Sequence, residues 1–413
     1  MTKLSFAFMN MKKNLFKLDN TLQNYAWGSK TAIPELFGVE NSQQEPLAEL
    51  WMGAHPNGCS KVELNGKKIL LSELIDSDKD GFLSPQTALS FGELPYLFKV
   101  LAADSALSIQ VHPSKEEAEI GFTKEDRLGI DRKHPKRNYR DPNHKPELVY
   151  ALTSYQAMNG FRNFSEIVSL FSRITEQVSI PQVHALVTQF EYNLTTSGLE
   201  TFFVGILSLA GSDKLQAIDG LLTFAHACVE SGESGDEFAL ILELANTYPD
   251  DIGLFAPLIL NVLTLQPGET MYLDARTPHA YLKGTGLEVM ANSDNVLRAG
   301  LTPKHIDVEE LAQCTLFEEK PKNKLRIQPN VNGNKQSYSI PVPDFKFDCF
   351  IQAENDVINV DSAEIVFAID SDVEVYHQSG ESLVLNKGDS VFIPAYAKEY
   401  TLSSEGRIAR VYN

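Results

Sequence analysis

Four residues with metal-binding chemistry sit at spacings that a β-strand would turn to one side. In Ser108-Ile109-Gln110-Val111-His112, alternation along a strand puts Ser108, Gln110 and His112 on one face and Ile109 and Val111 on the other. Three polar side chains in such a row make a poor core face and a good lining for a barrel interior. His144-Lys145-Pro146-Glu147 leads into the apolar run Leu148–Leu152, so Glu147 enters a strand with Lys145 on its face. His279 follows Pro278 at the head of another strand-like run. Gln110, His112, Glu147 and His279 together offer two imidazole nitrogens, a carboxylate and an amide oxygen. That set suits Zn²⁺ with a position left for water or substrate. Two histidines and a carboxylate also describe the facial triad of non-haem iron oxygenases; the extra Gln110 weighs against that reading.

Strands must align these residues, and the texture of the chain supplies them. Over 15–162, short apolar runs such as Pro95–Leu101 are punctuated by Gly, Pro and Asn and read as strands joined by turns. Over 163–252 the chain becomes amphipathic at helical spacing, in Ser165–Phe171 (opening on a capping residue), Leu215–Val229 and Phe238–Ala245, the last closed by Pro249. Strand texture returns over 253–328 and continues through 329–413.

Two passages in those last regions repeat each other. "LTLQPGETMYLDARTPHAY" and "LVLNKGDSVFIPAYAKEY" both show an apolar run, a Gly turn beside an acid, a second run and a Pro. The unit resembles the second motif of cupin jelly rolls. Ala395 stands where the first copy has His279, so only the first barrel is expected to hold metal. The fold expected is mainly β, with two cupin-like jelly-roll β domains plus a helical domain. The catalytic cupin domain is read in two parts, 15–162 and 253–328, split by a helical insertion at 163–252. A cupin-like β domain without metal covers 329–413, and residues 1–14 form a tail in which Met9 and Met11 are alternative starts to Met1.

Composition narrows the partners. The 413 residues are 43% hydrophobic and 22% charged, with a net charge of −19, which disfavours nucleic acid and anionic membranes. An anionic small molecule then requires a local cluster of Lys and Arg. Cys59, Cys228, Cys314 and Cys349 lie far apart with no C-x-x-C pair, which points away from a thiolate zinc site or disulfides and toward the cytoplasm. The apolar run after Lys3 is too short for a signal peptide, and no stretch reaches the roughly 18 apolar residues of a membrane span.

The strings "QNYAWGSK", "LAELWMGAHPNGCS", "LPYLFKVLAADSALSIQVHPSKEEAEIGF", "NHKPELVYAL" and "TPHAYLKGTGLEVMANSDNVLRAGLTPKH" occur in order from Asn24 to His305. In these the chain resembles the type I mannose-6-phosphate isomerase (phosphomannose isomerase) family, zinc-dependent cupins with a helical insertion and a C-terminal β domain. The resemblance implies the ligand set Gln110, His112, Glu147 and His279 for one zinc per chain. It implies that Arg298 is the active-site arginine, that Lys304 and Ser108 contact the substrate phosphate, and that Lys99, Lys145, Glu288 and Asp294 line the pocket. It further implies a hexose 6-phosphate substrate, with a monomer expected and a homodimer as the alternative.

The chemistry implied moves a proton between carbon 1 and carbon 2 of the sugar through a cis-enediol. A divalent metal with an open position suits it, and a guanidinium such as Arg298 can meet a developing oxyanion. Lys145, Glu288, Asp294 and a zinc-bound water are all candidates for the base. His55, His134, His184, His226, His305 and His377 are read as non-ligands. A non-catalytic sugar-phosphate-binding cupin is the remaining alternative, separated from an isomerase by a turnover assay.

Overall fold

A single long strand organises the site. In the computed structural model, which describes residues 13–232 and 235–413, His279–Ala291 runs for 13 residues. It pairs antiparallel with four others: Tyr96–Ala103, Ile109–Val111, Glu147–Ala151 and Tyr155–Phe161. Its two faces differ in character because side chains alternate. Leu287 and Val289 are buried in one core with Phe98 and Val100, while Glu288 lies opposite Lys99 on the other face. The alternative starts Met9 and Met11 lie outside the described residues.

Five helices of eleven residues or more, followed by the short turns Ile252–Phe255 and Ala256–Ile259, leave this sheet and return to it. Phe164–Thr175, Pro181–Glu191, Thr196–Leu207, Gly211–Ser231 and Asp236–Thr247 lie between Tyr155–Phe161 and Leu260–Leu265, which pair antiparallel with Leu263 opposite Ala157. The helices are therefore an excursion from a β-hairpin. The first is capped by Asn163, whose side chain accepts from the Ser165 N–H; Ser165 itself is inside the helix. Phe171, Phe190, Phe202 and Phe255 stack among the helices. Each such buried ring contributes about 1.5–3 kcal/mol. The same core includes Ile109 and Val111, so the helices brace the back of the strand that carries Gln110.

The other β layers lie toward the C-terminus. Lys346–Phe350, Ile408–Tyr412, Glu364–Ala368 and Ser390–Ile393 are consecutive strands of a 9-stranded sheet. Ala353–Asn359, Glu399–Ser404, Val373–His377 and Ser382–Leu385 form a 4-stranded one. Phe16–Asp19 joins the first of these by pairing with Ser390–Ile393. The chain start read as part of the first barrel thus contributes a strand to the sheet of the second. Among the described residues no helix is long and apolar enough to cross a membrane.

The repeat seen in the sequence recurs atom by atom. Leu273 lies opposite Glu147, and Ile393 opposite Glu364. The turn glycines Gly268 and Gly388 have φ of 90° and 87°, a region that disfavours any side chain. Their N–H groups donate to the Ala151 and Ala368 carbonyls at 2.9 Å. The carboxylates of Glu269 and Asp389 accept from the backbone N–H groups of Gln266 and Asn386 at 2.8 and 2.9 Å. The Tyr281 hydroxyl donates to Glu147 at 2.6 Å, and the Tyr400 hydroxyl to Glu364 at 2.8 Å. In the second copy the hairpin that the helices open in the first is closed directly, with Glu374 opposite Val384.

This correspondence moves one assignment. Counting back two residues from each tyrosine, the counterpart of His279 is Lys398 and not Ala395, because the second copy reaches its tyrosine one residue sooner. Val360, whose N–H donates to the Lys398 carbonyl at 2.8 Å, stands where Gln110 lies opposite His279. Glu364 keeps the place of Glu147. Where Glu288 lies opposite Lys99 and Val149, Arg410 lies opposite Asp348 and Val366. The charges are exchanged: Arg410 now donates to Glu364 at 2.8 Å and to Asp348 at 3.1 Å.

Removing one partner of a buried ion pair leaves an uncompensated charge, which typically destabilises by about 3–5 kcal/mol. Arg410→Met should therefore lower the urea midpoint markedly. An unchanged midpoint would show that Glu364 does not need the guanidinium.

Candidate active site

Three side chains converge behind the head of the long strand. His112, Glu147 and His279 are buried to 1%, 2% and 3% exposure, and their ligand-type atoms all lie within 4.8 Å of one another. His112 Nδ1 is 2.6 Å from the Asn295 carbonyl, and His279 Nδ1 is 2.8 Å from the Thr277 carbonyl. A carbonyl only accepts, so each Nδ1 carries the hydrogen, and in the neutral ring the lone pair is then on Nε2. Both Nε2 atoms lie 3.3 Å from Glu147, one against Oε1 and one against Oε2. His112 Nε2 has no hydrogen-bond partner. Burial, reinforced by Lys145, lowers the His112 pKa to about 4, so it is neutral near pH 7. Two lone pairs directed at a carboxylate are stable around a shared cation. The donor set fits a zinc ion.

The fourth sequence candidate stands beside them. Gln110 lies opposite His279 on one side and opposite Arg298 on the other, so the three form one row across adjacent strands. Its Nε2 reaches the Ser108 hydroxyl at 3.4 Å, which leaves the amide oxygen as its acceptor.

The carboxylates are held apart by their partners. Burial works to raise the Glu147 pKa, but Lys145, whose Nζ is 3.1 Å away, and the imidazoles hold it well below the usual range. Lys99 lies 2.8 Å from Glu288 and 3.5 Å from Glu49. Burial opposes its charge, and the two carboxylates override burial to keep it protonated. Asp294 is met differently. Its Oδ2 accepts from Asn57 at 2.9 Å, and its Oδ1 lies 3.4 Å from His55 Nε2.

A cationic edge borders the row. Burial lowers the Arg298 pKa and Arg140 adds to it; burial also lowers that of Lys304, reinforced by Arg298 and Arg140. No carboxylate among the described residues offsets that repulsion. Neighbouring cations of this kind suit a dianion such as a phosphate.

Of the residues singled out from the sequence, Lys99, Gln110, Glu147, His279, Glu288 and Arg298 lie on strands of this sheet, and Ser108, His112, Lys145, Asp294 and Lys304 lie on segments that flank those strands. Four neighbours carry no reading in the sequence, Glu49, Arg140, Tyr281 and Asn295, and a fifth, His55, is read there only as a non-ligand. Glu49 and Tyr281 sit in apolar strand-like runs, beside Leu50 and Leu282, and carry no spacing signal of their own. Arg140 is placed by its backbone N–H, which donates to Asn295 Oδ1 at 2.6 Å. His55 and Asn57 lie inside the quoted string "GAHPNG" and were the readable ones. Trp51 is buried, with its indole N–H on Glu49 at 2.7 Å, whereas Trp27 is half-buried and stacks on the exposed Tyr25.

Fold and site thus define a metal-binding jelly-roll protein with a cationic edge. Residues 15–164 match the profile "Phosphomannose isomerase type I, catalytic domain", and residues 334–413 match "Mannose-6-phosphate isomerase, cupin domain". The mannose-6-phosphate isomerase of Escherichia coli (strain K12) is 47% identical over 399 residues, covering 96% of this chain and 99% of that one. The Homo sapiens enzyme of that name is 34% identical over 408 residues, covering 92% and 93%. A solved zinc-bound mannose 6-phosphate isomerase is 46% identical with a TM-score of 0.90, covering 97% of this chain and 100% of that chain. A mutant phosphomannose isomerase from Salmonella typhimurium reaches a TM-score of 0.92 at 46% identity and the same coverage. The chain belongs to the type I phosphomannose isomerase family.

The tyrosine beneath the carboxylate gives a test of the donor set. A partner that orients a ligating carboxylate is typically worth about 10–100-fold in metal affinity. Tyr281→Phe should weaken zinc binding by that order in a competition titration with a chelator, and His112→Ala should abolish it. Unchanged affinity in His112→Ala would place the metal elsewhere.

Proposed function

We propose that this chain interconverts D-mannose 6-phosphate and D-fructose 6-phosphate with one zinc ion per chain, held by His112, Glu147, His279 and Gln110. The observation that carries this reading is the row His279–Gln110–Arg298, which sets a metal-ligand set directly beside an unneutralised cationic edge. The near-full-length similarity to proteins named mannose-6-phosphate isomerase supports the same substrate. The cytoplasm fits cysteines that form no disulfide among the described residues. A monomer fits a net charge of −19, which opposes self-association.

Each side chain takes a role that its surroundings allow. When bound, zinc supplies Lewis acidity at the sugar oxygens. Lys304, Arg140 and Ser108 hold the phosphate. Arg298 presents fixed N–H donors to the oxygen that gains charge as carbon 2 loses its proton. The base must be a group with a free lone pair. Lys145 is tied to Glu147, and Glu288 and Glu49 share Lys99. Asp294 meets only neutral donors, since burial lowers the His55 pKa despite Asp294 itself, and its side chain keeps 35% exposure. Asp294 therefore moves the proton between carbon 1 and carbon 2.

The direct test is turnover of hexose 6-phosphates by the zinc-loaded protein, with absence of isomerisation contradicting the reading. Two substitutions separate the cations. Arg298→Ala should leave zinc content unchanged and lower kcat by about 10²–10³-fold, as for one oxyanion donor. Lys304→Ala should act mainly on KM, because the phosphate carries its charge in ground and transition state alike. If Arg298→Ala raised KM with kcat intact, Arg298 would be a binding residue only.

A further inference from the structure

Asp294 is held by a tight turn that the chemistry described so far does not use. His55-Pro56-Asn57-Gly58 closes on itself, with the Gly58 N–H on the His55 carbonyl at 3.0 Å. The turn lies against Trp51, whose ring stands edge-on to the His55 ring at 5.1 Å. A Cβ on residue 58 would come within 2.5 Å of the Trp51 ring, so only glycine lets the turn settle there. His55 is 4% exposed, yet it is not an idle core histidine. Its Nδ1 accepts the Asn57 N–H at 3.2 Å, which puts the ring hydrogen on Nε2, the atom facing Asp294 Oδ1. The Asn57 amide occupies Oδ2. The backbone N–H of Asp294 is fixed separately, by Asp141 at 2.7 Å.

We infer that His55 is a positioning residue for the proton-transfer carboxylate: the turn at 55–58 holds Asp294 through the Asn57 amide hydrogen bond on Oδ2 and the His55 Nε2 contact with Oδ1 at 3.4 Å, and so sets its orientation over the sugar. The inference rests on the reading of Asp294 as the base. A neutral clamp suits that task where a cation would not. A lysine or arginine at the same place would bind the carboxylate as Lys99 binds Glu288 and withdraw its lone pair from the substrate. The clamp also hangs on the ring that Lys99 covers, with Lys99 Nζ 5.1 Å from the Trp51 centroid. The turn is thereby fixed to the same buried charge cluster as the rest of the site.

The test compares the full zinc-loaded chain with His55→Leu, His55→Gln, Asp294→Asn and the double variant His55→Leu/Asp294→Asn, in turnover of mannose 6-phosphate. Misplacing a reacting group is worth up to about 100-fold, so His55→Leu should lower kcat by about tenfold or more with KM nearly unchanged. His55→Gln, which can return an amide N–H to Oδ1, should recover much of that loss. Because residues acting as a unit are not additive, adding His55→Leu to Asp294→Asn should change kcat by less than about twofold. Losses that multiply in the double variant would overturn the clamp while leaving Asp294 as the base. If Asp294→Asn alone kept full kcat, both the base and its clamp would fall.

Discussion

A carboxylate buried as deeply as Glu147 persists only where other groups answer its charge, and the rest of the site is arranged around that requirement. Tyr281 supplies one hydrogen bond and Lys145 one ammonium. Two imidazoles, each with its hydrogen turned away onto a backbone carbonyl, offer lone pairs that make sense only around a cation. The same position in the second copy keeps its carboxylate and its tyrosine but answers the charge with Arg410. One buried acid is met by two imidazoles in one barrel and by a guanidinium in the other.

The fold serves that acid by register. Strand His279–Ala291 touches four neighbours, and so brings ligands from three separate stretches of chain within reach of one point. Among the described residues the helical excursion adds no side chain to the His112–Glu147–His279 cluster. It supplies the apolar mass behind Ile109 and Val111 that keeps Gln110 facing inward. The glycine turns at 268 and 388 end both copies of the hairpin in the same left-handed conformation, which preserves the pairing of Leu273 with Glu147 and Ile393 with Glu364.

What could be read from residue types was whatever alternation and composition express locally. Period-two alternation set Ser108, Gln110 and His112 on one face, and amphipathic spacing marked the helices. The duplicated turn was visible because its glycine and acid are sequence-local. The counterpart of His279 was misjudged by three residues, since a proline was the anchor available in the sequence, whereas the tyrosine–carboxylate hydrogen bond anchors the structure. Arg140 and Glu49 were not readable, because each reaches the site through pairing between distant strands or a backbone hydrogen bond. His55 was dismissed as a non-ligand; its link to Asp294 spans more than two hundred residues of sequence.

The most direct measurement is X-ray absorption at the zinc edge of the purified, zinc-loaded chain. The expected first shell contains only nitrogen and oxygen at about 2.0–2.2 Å, with outer-shell scattering from two imidazoles. The imidazole scattering should fall in His279→Ala. A sulfur shell near about 2.3 Å, or a spectrum unchanged by His279→Ala, would contradict a zinc held around Glu147.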